Sequence, residues 1–197
     1  MLLPSGSIEI NGRAVVELTL GSGSANVIQF TTANDNTKRD PVSWTVEGSN
    51  SCSGEWSLLQ TFTEIEAPTG RRTDYTGDFA IGELPDCSSP PPSVPPPSSV
   101  AVHTLRFTIT QNRENDPSKG VQLSELRVYD SDGTQLTVAS ISNPGGSRCI
   151  SSGCAADTQS VDKLIDNNIE TKWFDGSSAC KPRGPGQHRC LRRSRLR

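Results

Sequence analysis

The sequence predicts an all-β chain folded as a sandwich, and three observations carry that prediction. Short segments of alternating polarity recur along the chain, while helical periodicity is nearly absent. Seventeen Gly and fourteen Pro sit among few long apolar runs, which suits many short strands and turns. Hydrophobic residues at 32% and aromatics at 5% make a lean core, though a richer one than a disordered chain has.

Taken in chain order, "VVELTL" and "VIQFTT" are the first strand candidates, each closed by Gly, Asn, Asp or Pro. "VSWTVEG" puts Val42, Trp44 and Val46 on one face and Ser43, Thr45 and Glu47 on the other, so Trp44 is expected in the core. "WSLLQTF" follows, with Trp56 half-buried at its start after the "NSCSGE" turn. "TLRFTIT" turns Leu105, Phe107 and Ile109 against Thr104, Arg106, Thr108 and Thr110. "VQLSELRVYD" is the last long candidate, and "SDGTQ" after it is a turn built on Asp-Gly. One helical turn is expected at "VDKLID", and Trp173 with Phe174 beyond it reads as a packing anchor. The run "SSPPPSVPPPSS" (88–99) is polyproline-like and cannot join a ladder. We read it as an exposed loop inside one domain, because neither flank holds enough strands to close a sandwich alone.

At 197 residues the chain has room for one ordinary domain, or one and a piece of another. The net charge of −3 hides an asymmetry: residues 179–197 carry seven Lys or Arg and no acid, leaving a body of −10. No basic strand or helix in the body extends that tail into a nucleic-acid surface, so the tail is expected to be disordered and nucleic acid is not an expected partner. No stretch approaches the roughly 18 apolar residues of a membrane span. "MLLPSGS" is too short for a signal peptide, so any such signal is expected outside this stretch. Six cysteines (Cys52, Cys87, Cys149, Cys154, Cys180, Cys190) permit disulfides, with "CISSGC" the most plausible local bridge. Their irregular spacing and the lack of a CxxC pair argue against a thiolate metal site, and the setting they favour is extracellular.

Catalysis is not expected. The only histidines are His103 and His188, and no nucleophile elbow, zinc-helix, phosphate-loop or dinucleotide motif occurs. The acids sit mostly in turns, and nothing gathers a nucleophile, a base and an orienting group. Two loops instead offer binding chemistry. Asn34, Asp35, Arg39 and Asp40 share one loop between strands, where Arg39 could donate two bonds to adjacent hydroxyls; the plainer reading is an Arg39–Asp40 pair that pins the turn before Pro41. Arg71, Arg72 and Tyr75 in "TGRRTDYTG" form a second group, with Tyr75 as a stacking platform or merely part of an exposed loop. In "DKLIDNNIETKW", Asp166, Asn168 and Thr171 bring oxygens into one tight turn, which suits either a hard cation or an Asx-type turn.

A family resemblance enters through longer phrases. "TTANDNTKRDPVSWTVEGSN" with "EWSLLQT" resembles the middle of discoidin-type domains, the coagulation factor five/eight C-type family, and especially its carbohydrate-binding modules. "LRFTITQN…VQLSELRVYD" is similar to that domain's closing strands, and "SNPGGS…VDKLIDNNIETKWFD" to its opening segment. The resemblance implies a galactose-binding-like jelly roll of two antiparallel sheets. It covers 7–130 as a domain lacking its opening segment and 138–176 as an opening segment arriving late. That late segment either folds back to complete the first copy, making a permuted or truncated domain, or begins a second repeat. Fold-back is the expectation for this chain.

The resemblance further implies a structural Ca2+ on Glu125, Lys163, Asp166, Asn168 and Thr171. Glu125 fits such a role chemically, since a carboxylate among apolar neighbours needs a cation or donors. The implied partner is a glycan or glycoconjugate, at a cell surface or outside the cell. Adhesion to protein or membrane and a ligand-free structural repeat stand as alternatives on the same fold.

Overall fold

The alternating segments become strands. β1 (Ala14–Leu20), β2 (Val27–Thr31), β3 (Pro41–Ser49), β4 (Ser57–Phe62), β5 (Phe79–Ala80) and β6 (Thr104–Asn112) are followed by β7 (Val121–Leu123) and β8 (Glu125–Tyr129), then β9 (Val138–Ser142) and β10 (Trp173–Asp175). The computed structural model describes residues 14–49, 55–82, 104–116, 119–144 and 158–176. The Pro-rich run, all six cysteines, both histidines and the basic tail lie outside the described residues. β5, β9 and β10 go beyond the sequence expectation, being too short or too evenly exposed to show a period. The "VDKLID" turn is a 3-10 turn, Val161–Leu164.

The strands pair as a five-stranded sheet ordered β4-β3-β6-β1-β9, a three-stranded sheet β5-β2-β8 and a pair β10-β7. Every pairing between these strands is antiparallel. The molecule is therefore all-β. The two larger sheets meet through aromatic rings: Phe30 of β2 lies edge-on to Trp44 of β3 at 5.0 Å and to Phe107 of β6 at 6.0 Å. Each such pair adds about 0.5–1.5 kcal/mol beyond the area it buries.

β3 departs from simple alternation. Its ladder with β6 shifts at Pro41, Ser43 and Trp44, so Ser43 is buried and Val42 only partly so. The Ser43 hydroxyl accepts the Glu64 N–H at 3.1 Å, which makes its burial tolerable. The predicted run "VQLSELRVYD" is likewise broken, at Ser124. There the Ser124 N–H donates to the Thr31 carbonyl (2.9 Å) and its hydroxyl to the Ile169 carbonyl (3.2 Å), so the chain passes from one pairing partner to another.

Residues 158–176 pack on this same body. β10 pairs with β7 in the register Trp173↔Leu123, and Trp173 and Leu164 are 1% and 0% exposed within the common core. At the other end, Asp130 accepts the Asp132 and Thr134 N–H groups and Gly133 has φ +77°, closing the Asp-Gly turn. On the outer face of the large sheet, Arg106 donates to Glu17 (2.7 Å) while Trp56 covers its guanidinium at 3.8 Å. Among the described residues, no helix is long and apolar enough to cross a membrane.

Candidate ligand and metal site

Three loops converge around the late segment: 34–40, 70–74 and 166–172. The first is shaped by the Asn36 side chain, which accepts the Lys38 N–H (3.1 Å) and caps the 3-10 turn Thr37–Arg39. Gln122, fully buried on β7, donates to the Asn36 carbonyl at 2.9 Å and holds the loop from beneath. Lys172 pairs with Asp35 (2.7 Å) and Arg72 with Glu170 (2.5 Å), tying the late loop to the other two. Partial burial pushes the Asp35 carboxyl up, but the Lys172 ammonium and the Asn36 backbone N–H together hold it below its ordinary value.

Asp40 does not pair with Arg39. Its carboxylate is 0% exposed and takes both arms of Arg71 (2.7 and 2.8 Å), with Arg113 at 3.5 Å. Burial pushes its pKa up, and the two guanidiniums pull the other way. The geometry is that of a fork-on-fork ion pair, and the Asp40 hydrogen bond raises the Arg71 pKa. Asp40 and Arg71, expected as ligand groups, are thus spent on each other. Tyr75 is a clear correction. Far from being an exposed platform, it is 2% exposed, donates its hydroxyl to the Pro41 carbonyl (2.9 Å) and lies edge-on to Phe30 and Trp44. The cause is backbone pairing beyond β2: the Thr31–Asp74 bridge and the Tyr75 N–H to Phe30 carbonyl bond turn Tyr75 inward. Burial places its phenol well above the usual range. Arg72 stays exposed, but its guanidinium is occupied by Glu170.

Arg39 behaves differently. Its guanidinium carbon lies 4.5 Å from the centre of the Phe174 ring, and no carboxylate among the described residues pairs with it. Its Nε is buried without an acceptor. Asn34 stands exposed in the same loop. Phe174, read from sequence as packing, is the aromatic support of this group. Its neighbour Trp173 faces the core, so the alternation of β10 leaves Phe174 on the opposite side.

The late loop surrounds a second group. The Asn168 N–H donates to Glu125 Oε1 (2.7 Å) and to Asp166 Oδ1 (3.1 Å), and the Glu170 N–H donates to Asn168 Oδ1 (3.1 Å). The Asx turns anticipated as the plainer reading are therefore present. Thr171 Oγ1 lies 2.8 and 3.0 Å from the Asp166 carboxylate oxygens. Glu125, however, is not solvated. It is 1% exposed, its Oε2 has no hydrogen-bond partner, and burial pushes its pKa to about 7, with Asp166 adding to the rise and the Asn168 N–H and Arg127 opposing it. It lines a cleft of about 210 Å³ with Arg127, Gln135, Leu136, Ile165 and Asn167.

No family model and no curated protein matches this sequence. The chemistry therefore rests on the donor set itself. Among the described residues no three His, Cys, Asp or Glu side chains cluster as metal ligands. Two carboxylates (Glu125, Asp166), the Asn168 and Thr171 oxygens and nearby carbonyls do make an all-oxygen set of the kind a hard cation takes. The side chain of Lys163 is a correction to the expected ligands. Its ammonium, 3.6 Å from Asp166 Oδ2 and 3.1 Å from Asp162, has no lone pair and can offer a metal only competition.

Proposed function

We propose that the chain is a discoidin-type, galactose-binding-like jelly-roll module that binds carbohydrate without catalysing a reaction, outside the cell or at its surface. The reading takes 138–176 as the opening segment of the same domain, supported in its described residues by the β10–β7 pairing and the burial of Trp173. The observation that carries the binding role is Arg39, held over Phe174 in the loop that exposes Asn34 and without a carboxylate partner among the described residues. Sugar sites combine an aromatic platform with planar hydrogen-bonding groups on loops of a rigid sandwich, and this group has both. Polar residues dominate the converging loops, which favours sugar over a lipid surface; Ile169 is their one exposed large hydrophobic residue among those described.

In this reading a calcium ion is held by Glu125, Asp166, Asn168 and Thr171. When bound it would supply positive charge to the buried, unpartnered Glu125 oxygen and join β8 to the late loop. The protein's own part is to keep Glu125 dry and to hold the Asp166 turn in place. Glycan-panel binding by the full chain, in calcium and then in chelator, tests the proposal. Glycan capture that weakens when Phe174 is replaced by Ala supports it, and binding to lipid vesicles with no glycan captured would replace it by an adhesion role.

A further inference from the structure

The loop surface is not neutral in what it can accept. Its exposed and half-buried carboxylates are matched with cations: Asp35 with Lys172, Glu170 with Arg72, and Glu114 with Lys38. Buried Asp40 takes two, Arg71 and Arg113. Arg39 is the guanidinium left over among the described residues of these loops. Its guanidinium carbon lies over the Phe174 ring, 4.5 Å from the centroid, which gives the cation an aromatic partner. Fully buried Gln122 donates to the Asn36 carbonyl, so the loop carrying Arg39 is tied to the core.

A guanidinium held over an aromatic ring, with no carboxylate partner among the described residues, matches a planar anion better than a neutral hydroxyl pair. Both N–H arms can meet two carboxylate oxygens at once, and charge-assisted bonds are about twice as strong as neutral ones. We propose that the glycan recognised at this surface carries a carboxylate, as in a uronic or other acidic sugar, and that Arg39 reads it with Asn34 contacting an adjacent hydroxyl. This rests on the carbohydrate reading above and narrows its ligand class. An acidic peptide offers the same carboxylate, but it lacks the ring hydroxyls that Asn34 would meet.

The test uses the full chain in calcium against uronate-containing oligosaccharides, the same oligosaccharides with their carboxyls reduced to alcohols, and an oligoglutamate peptide. Acidic sugars should bind about tenfold or more tightly than their reduced counterparts, from one charge-assisted pair. Arg39→Gln should erase that preference, and Arg39→Lys should restore only part of it, with thermal melts checking that each variant folds. Equal binding of acidic and reduced sugars, unmoved by Arg39→Gln, overturns the acidic-ligand inference while leaving carbohydrate binding intact. Capture of oligoglutamate alone overturns both, as does the absence of any binding.

Discussion

Asp40 and Glu125 are both carboxylates hidden from water, at 0% and 1% exposure, yet they are completed in opposite ways. Asp40 receives two arms of Arg71 and the nearby Arg113, all from this chain. Glu125 receives one backbone N–H, from Asn168, and its second oxygen faces no donor. A buried charge is stable only when paired, so the first is a finished structural joint, while the second is left to hold its proton up to about pH 7 or to take a partner. The saturated site pins loops, and the unsaturated one is where we propose that a cation binds.

The largest expected effect breaks the finished joint. Asp40→Asn should destabilise the chain by roughly 3–5 kcal/mol, because Arg71 and Arg113 lose their anion. Urea unfolding should show the same loss in calcium and in chelator; a loss confined to calcium would merge the two sites. Next comes the cation. At 100 times its dissociation constant, calcium should add about 2.7 kcal/mol to the wild-type chain. Glu125→Gln should remove that gain, yet in chelator at pH 8 it should melt no lower than wild type, since Gln keeps an acceptor for the Asn168 N–H and carries no charge.

Acidity sharpens the comparison further. The folded Glu125 pKa of about 7 lies above its ordinary 4.5. In chelator its contribution is therefore whole below pH 4.5 and is lost as pH rises towards 7, because the unfolded chain gives up the proton first. The slope is on the order of 1 kcal/mol per pH unit, and Glu125→Gln should flatten that part of the stability profile. If wild type and Glu125→Gln show the same slope, Glu125 is not the titrating group. The smallest effect belongs to the surface. Arg72→Ala, breaking a pair whose side chains are 35% and 64% exposed, should cost less than about 1 kcal/mol and shrink with salt. A larger loss in a melt would mean that the late loop depends on that pair for its docking.

Period-two alternation, visible in the residues themselves, determined the longer strands and the burial of Trp44, Leu105, Phe107 and Ile109. Alternation without helical periodicity, together with a composition rich in Gly and Pro, determined the all-β class. Strands of two or three residues, such as β5 and β10, have no period to show, and the bulge that buries Ser43 in place of Val42 depends on the ladder with β6. The site divides in the same way. The sequence marked Asn34, Arg39, Asp166, Asn168 and Thr171 as groups with binding chemistry, because residue type and local spacing suffice for that. Only the tertiary structure decided which of them are already used. Asp40 met Arg71 across 31 positions, Tyr75 turned into the core through pairing with β2, and Arg39 found Phe174 from the far end of the chain. Satisfaction of a polar group is a property of what lies opposite it in space, and no local pattern carries that information.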